Sequence, residues 1–167
     1  MALSNLVGTI TSEFGLTIDK TNTALSDTKL GLAKSYPIAY TFGTADNKAN
    51  KIYSASLSIA ASATTSLDLD GAVLEDPYGD VLTFTELKAF RIYLVLETNG
   101  SSDVSVAGDF ITDTFGASTS YPLVAGSTWH HQDTEGLAVT AGTGDVIAIT
   151  NNDGSNAATV IVDIIGN

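Results

Sequence analysis

Between Lys88 and Leu96 the chain reads KAFRIYLVL, with apolar residues at every second position. Phe90, Ile92, Leu94 and Leu96 share one face and Ala89, Tyr93 and Val95 the other, while the charges Lys88 and Arg91 stay near the start. A period of two belongs to an extended chain, and apolar groups on both faces predict a strand inside a sheet that is covered on both sides. No stretch of the 167 residues sustains a 3.6-residue repeat. The chain must therefore build its core from sheets. Just upstream, Asp76-Pro77-Tyr78-Gly79 has Pro second and Gly fourth, the type I turn preference. A chain reversal is expected directly before the core strand.

The same period recurs on both sides of this strand. Tyr36, Ile38, Tyr40 and Phe42 share a face, and Pro37 suits an edge because it cannot donate to a ladder. Tyr53, Ala55, Leu57, Ile59, Ala61 and Ala63 oppose a row of serines, which predicts a half-buried strand, bent or interrupted near residues 60–63. Further strands are expected at Val104–Val106, Ser127–His131, Leu137–Ala141, Asp145–Thr150 and Ala157–Ile165. Asn151-Asn152-Asp153-Gly154 suggests a hairpin between the last two. Residues 109–126 are expected to form a surface loop pinned by Phe110, Phe115 and Tyr121. Residues 1–35 show weak periodicity, with short strands expected at Leu6–Ile10 and Leu16–Ile18. The expected organisation is an N-terminal arm or edge segment, 1–35, followed by one domain, 36–167. Its fold class is all-β, an antiparallel β-sandwich of jelly-roll type.

Charge and composition narrow the functions. The net charge of −12 argues against nucleic acid, because neutralising phosphates takes clustered Lys and Arg. No window has the roughly 18 apolar residues of a membrane helix, and MALSNLVGTITSEFG lacks the basic start and apolar run of a secretory signal. A soluble protein without a membrane partner is expected. There is no cysteine, so packing or oligomerisation must hold the fold. Residues 1–51 hold five basic groups, among them Lys20, Lys29 and Lys34, against four acids, a balance of +1, and the remainder stands at −13. Either these lysines solvate loops, or the segment packs on another acidic surface such as a neighbouring subunit.

Few residues could carry chemistry. His131, Asp133 and Glu135 would share a face of a regular strand and offer an imidazole and two carboxylates to a metal. His130 would point the opposite way, so the two imidazoles could not meet on one ion, and the cupin pattern G-x5-H-x-H is not matched. These three are weak metal candidates, set against a solvated polar loop. The AGTGD stretch lacks the helix and lysine of a phosphate loop and reads as a β-turn. Asp68 with Asp70, and Asp76 with Asp80, read as turn acids rather than calcium ligands. No nucleophile motif is present. Neither catalytic residues nor a cofactor are expected, and the protein is not expected to be an enzyme. Trp129 with Tyr121 and Phe115 could form an exposed aromatic patch for a glycan or subunit, or could equally lie in the core at a sheet end.

Three blocks carry a family resemblance across about residues 40–167: FGTADNKANKIYSASLSIAASATTSLDLDG, DPYGDVLTFTELKAFRIYLVL and LAVTAGTGDVIAITNNDGSNAATVIVDIIG. They resemble the small jelly-roll virion proteins that decorate bacteriophage capsids, the head-decoration or cement proteins. The resemblance implies a structural protein, usually trimeric, on the outer capsid surface of a virion, made in the host cytoplasm. Its partners would be the major capsid protein and further copies of itself. The polar, aromatic STWHHQDTEG departs from the family pattern, which tends to be apolar and rich in Gly and Pro there. On this reading Lys20, Lys29 and Lys34 would contact capsid or subunit. The alternative is a carbohydrate- or receptor-binding module of a head or tail fibre, with Tyr121 and Trp129 as ligand contacts.

Overall fold

The computed structural model describes the main chain of residues 7–20, 28–76, 78–96, 103–116 and 120–167, with side chains from residue 37 onward in those ranges. Its first strands are β1 (Val7–Lys20), β2 (Thr28–Phe42), β3 (Lys48–Ala49), β4 (Lys51–Ile59) and β5 (Thr64–Asp68). Next come β6 (Leu74–Glu75), β7 (Val81–Leu82), β8 (Glu86–Leu94) and β9 (Asp103–Ala107). Helix α1 (Asp109–Phe115) leads to β10 (Tyr121–Val124), β11 (Thr128–Ala138), β12 (Val146–Asn151) and β13 (Ala158–Gly166).

Two four-stranded sheets, ordered β11-β8-β13-β4 and β10-β9-β12-β5, pack on each other as an all-β sandwich. Every pairing within them is antiparallel. Alternation fills the space between them: Phe90, Ile92 and Leu94 of β8 and Val160, Val162 and Ile164 of β13 meet Val106 of β9 and Ile149 of β12. β13 lies between β8 and β4 and buries Ala158, Val160, Val162 and Ile164 on the core side, with Ile161 and Ile165 half-buried on the other. Leu96, expected on the buried face, is instead 71% exposed because regular pairing ends at Leu94.

Apart from β9 to β10, consecutive sandwich strands lie in opposite sheets. The long alternation from Tyr53 thus splits into β4 and β5, with the expected interruption at residues 60–63 and Ser62 at a φ of 55°. The expected hairpin at residues 151–154 does not form, since β12 and β13 belong to different sheets. Buried Asn151 holds this crossover open: its Nδ2 donates to the carbonyls of Ile59 (3.1 Å), Ala60 (3.1 Å) and Asn156 (2.8 Å). The surface loop expected over 109–126 is replaced by α1 and β10. Asp109 Oδ1 ties α1 to β12 by accepting from Val146 N–H at 2.6 Å. At Gly108, before α1, φ is 114° and an added Cβ would sit 2.2 Å from the Val146 carbonyl oxygen. Only glycine fits there.

Strands β1 and β2 form a separate ribbon. β1 pairs with β2 over its whole length, from Val7 opposite Thr41 to Lys20 opposite Thr28, and the end of β2 runs parallel to β3. The two short strands expected here are thus one long one, apart from Leu6, which lies outside the described residues. The 35/36 boundary drawn from sequence falls within β2. The register places Ile10 with Ile38, Phe14 with Lys34, Leu16 with Leu32 and Ile18 with Leu30 on one face. Thr9 with Ala39, Glu13 with Ser35 and Asp19 with Lys29 take the other. The one-sided pattern emerges only when both strands are read together.

Candidate functional site

The ribbon meets the sandwich at an irregularity in β11. Its register against β8 jumps from Gln132 opposite Ala89 to Leu137 opposite Leu87, so Asp133–Gly136 bulges out across from Lys88. Asp133 shapes the bulge by accepting main-chain N–H bonds from Glu135 (2.9 Å) and Gly136 (3.4 Å) on Oδ1. Gly136 has a φ of 101°, and an added Cβ would meet the Glu86 side chain at 2.6 Å. The bulge turns main-chain carbonyls outward as acceptors.

Three groups use those acceptors. The Tyr40 hydroxyl of β2, only 1% exposed, reaches the carbonyls of Asp133 (2.9 Å) and Lys88 (3.0 Å). Burial raises its pKa, partly opposed by the bond to the Asp133 carbonyl. Asn47 N–H donates to the Thr134 carbonyl at 2.9 Å. Lys88, 1% exposed, donates to the Glu135 carbonyl and forms an ion pair with Glu86 Oε2 at 2.7 Å. Glu86 also accepts from Asn167 Nδ2 at 3.0 Å. A buried ammonium is tolerable only with such a full set of partners. Together these bonds fasten the base of the ribbon to the start of the core strand.

The geometry recasts the candidate metal ligands. His131 faces inward in register with Phe90 and stacks on that ring at 5.7 Å and 25°, while Asp133 is committed to the bulge and Glu135 is exposed. The bulge breaks the strand alternation that would have put all three on one face. They assemble no metal-binding group, and none exists among the described residues. Burial lowers the His131 pKa, with the Asp133 carboxylate opposing. Burial also lowers that of His130, helped by the positive charges of His131 and Arg91. Other acids cap turns. Asp76 Oδ1 accepts from Tyr78 N–H (2.8 Å) and Asp80 N–H (2.9 Å), and Asp68 Oδ1 from Gly71 N–H (2.7 Å).

Above the bulge, aromatic rings close the edge where β10 and β11 end their sheets. Tyr121 and Trp129 stack face to face at 4.0 Å and 23°, Trp129 meets Phe90 edge-on at 4.8 Å, and Phe115 of α1 packs on Trp129 at 5.5 Å. Tyr121 and Trp129 are half-buried against the core, each using one ring face on the other. They join the two sheets where no strand does so. Lys20, Lys29 and Lys34 sit on the ribbon opposite Thr28, Asp19 and Phe14, and their side chains lie outside the described residues. Sequence reasoning missed Tyr40, Glu86 and Asn151 as anchors. Lys88 had left a signal, as a charge at the head of an apolar strand.

No protein-family model matches the chain, and a search of curated proteins finds no significant relative. No helix among the described residues is long and apolar enough to cross a membrane.

Proposed function

We propose that this protein is a phage virion component that decorates and stabilises the outer surface of the capsid as a trimer, binding the major capsid protein without catalysis. The observation that carries this reading is the division of the chain into a sandwich several of whose acids cap its own turns and a ribbon with one apolar face by register. That is a module built to attach to something. The resemblance over about residues 40–167 names the surface. The strand order adds support: counted in sequence, the eight sandwich strands lie as 6-3-8-1 and 5-4-7-2. That order supports reading the sandwich as a jelly roll, two Greek keys folded on each other.

A trimer suits a capsid because threefold and quasi-threefold positions can match it contact for contact, and three modest contacts then act as one strong attachment. The deciding experiment is cosedimentation and electron microscopy with capsids assembled without the protein. Saturable occupancy of the outer shell is the expected result. A protein that ignores capsids yet binds glycans through Tyr121 and Trp129 would overturn this reading in favour of the fibre module.

A further inference from the structure

We propose that β4 is a docking edge for a second copy of this chain: the two β4 strands pair antiparallel about Ser56 and join their sheets into one of eight strands. The contact goes beyond the reading above and does not rest on it. Each sandwich sheet ends in two strands whose outer main-chain groups pair with no other described strand of the sandwich. Proteins ordinarily blunt such edges with proline, bulges, charge or short length. Three of the four ends are blunted here. β10 has four residues, one of them Pro122, β11 bulges at Asp133–Gly136, and β5 has five residues and ends in Asp68. β4 is the exception: nine residues without proline or glycine, paired with β13 from Lys51 to Ile59 with no shift of register, and uncharged beyond Lys51.

The side chains of β4 fix where the second strand lies. Its core-facing residues Tyr53 and Ile59 are buried, but Ala55 and Leu57 between them are only half-buried, whereas every core-facing residue of neighbouring β13 is buried. At the opposite end of the sandwich the stacked rings of Tyr121 and Trp129 fill the space between the sheets, while here Ala55, Leu57 and Ala63 fill it incompletely. Two-fold pairing of antiparallel strands requires one residue to oppose itself, because facing side chains lie on the same side of a sheet. An axis at Ser56 sets Ala55 against the copy's Leu57, Ser54 against its Ser58 and Tyr53 against its Ile59. Each half-buried apolar group then covers the other, and serine meets serine on the outer face.

The charge pattern permits the approach. The chain carries a net charge of −12, yet residues 47–67 hold no acid, and Lys48 and Lys51 are their only charges. Asp163, opposite Ser54 on β13, is neutralised by accepting from Arg91 Nε at 2.8 Å and from Ser54 Oγ at 2.7 Å. The register about Ser56 also leaves Lys51 beyond the end of the copy's β4. Two copies of an acidic protein thus meet along an acid-free edge, with main-chain hydrogen bonds supplying the affinity and no like charges opposed.

The test uses the full chain in the absence of capsids. Light scattering should give an even number of chains for the native protein. Ser56→Lys sets two ammonium groups against each other at an exposed position and should halve that mass, with the circular dichroism spectrum unchanged. Since the chain has no cysteine, cross-linking offers a second readout that leaves no charge in the contact. Oxidised Ser56→Cys should yield a disulfide ladder ending at two chains. Ser54→Cys alone should yield none, and Ser54→Cys with Ser58→Cys should restore it, because only paired positions come within the roughly 7 Å Cα separation that a disulfide spans. An odd-numbered native mass, a mass indifferent to Ser56→Lys, or cross-linking by Ser54→Cys as readily as by Ser56→Cys would overturn the contact. A trimer of that kind that still occupies capsids would leave the capsid reading standing without it.

Discussion

The sandwich and the ribbon are written in the same period-two alphabet, yet they dispose of their apolar residues differently. In the sandwich, Phe90, Ile92 and Val162 face residues of the opposite sheet and are fully buried within one chain. In the ribbon, Leu16 faces the same way as Leu32 on a sheet of three strands that includes neither large sheet. Alternation therefore specifies which face is apolar but not what covers it. The sandwich covers itself, whereas the ribbon pairs with neither of its sheets.

The sharpest way to break that comparison is to remove core volume. Phe90→Ala deletes a buried ring that contacts Trp129, His131 and Phe115 and should cost about 3–5 kcal/mol in a denaturant melt. Leu16→Asp on the ribbon should leave that melt, followed by Trp129 fluorescence, nearly unchanged. Equal losses would mean that ribbon and sandwich fold as a unit. Next in size, Asn151→Ala strips the donor from three carbonyls at the β12–β13 crossover. A loss of about 2–3 kcal/mol is expected, since buried acceptors would be left unmade. A loss below half of that would show that water replaces the amide.

At the junction, Tyr40→Phe removes the hydroxyl that reaches Asp133 and Lys88. About 1 kcal/mol of global stability should go. Hydrogen exchange should rise over the β1–β2 pairing while β8 and β13 stay protected, which would sharpen the division between the two regions. The smallest effect concerns pH. The folded pKa of His131 is lowered by burial, so the unfolded chain binds the proton more readily. Its contribution is fully present above the unfolded value near 6.5 and is lost as pH falls from there toward the folded pKa. His131→Phe should make stability between pH 7 and 5 less steep, and an unaltered slope would assign the dependence to other groups.

How much was legible varies by residue. The run Phe90-Ile92-Leu94 announced a core strand because alternation is local. Asp68 and Asp76 read as turn acids for the same reason, their bonds lying within four residues. The misses came where partners are distant. Tyr121 and Trp129 were readable equally as an exposed patch or as core at a sheet end until two sheet edges brought the rings together. His131, Asp133 and Glu135 seemed to share a face because a regular strand was assumed, whereas the bulge opposite Lys88 resets the alternation.

By itself the sequence determined that this chain is β-structured, that one strand is apolar on both faces, that its turns are acidic and that its N-terminal segment differs in charge from the rest. These follow from local sterics, a two-residue period and composition, which need no knowledge of neighbours. Only the tertiary structure decided that consecutive strands change sheets, that Tyr40 and Lys88 meet the carbonyls of one bulge, and that two weakly patterned strands join into a ribbon with one apolar face. Those depend on which distant segments pair and in what register. A shift of one residue in the β1–β2 pairing would have put the apolar residues of the two strands on opposite faces.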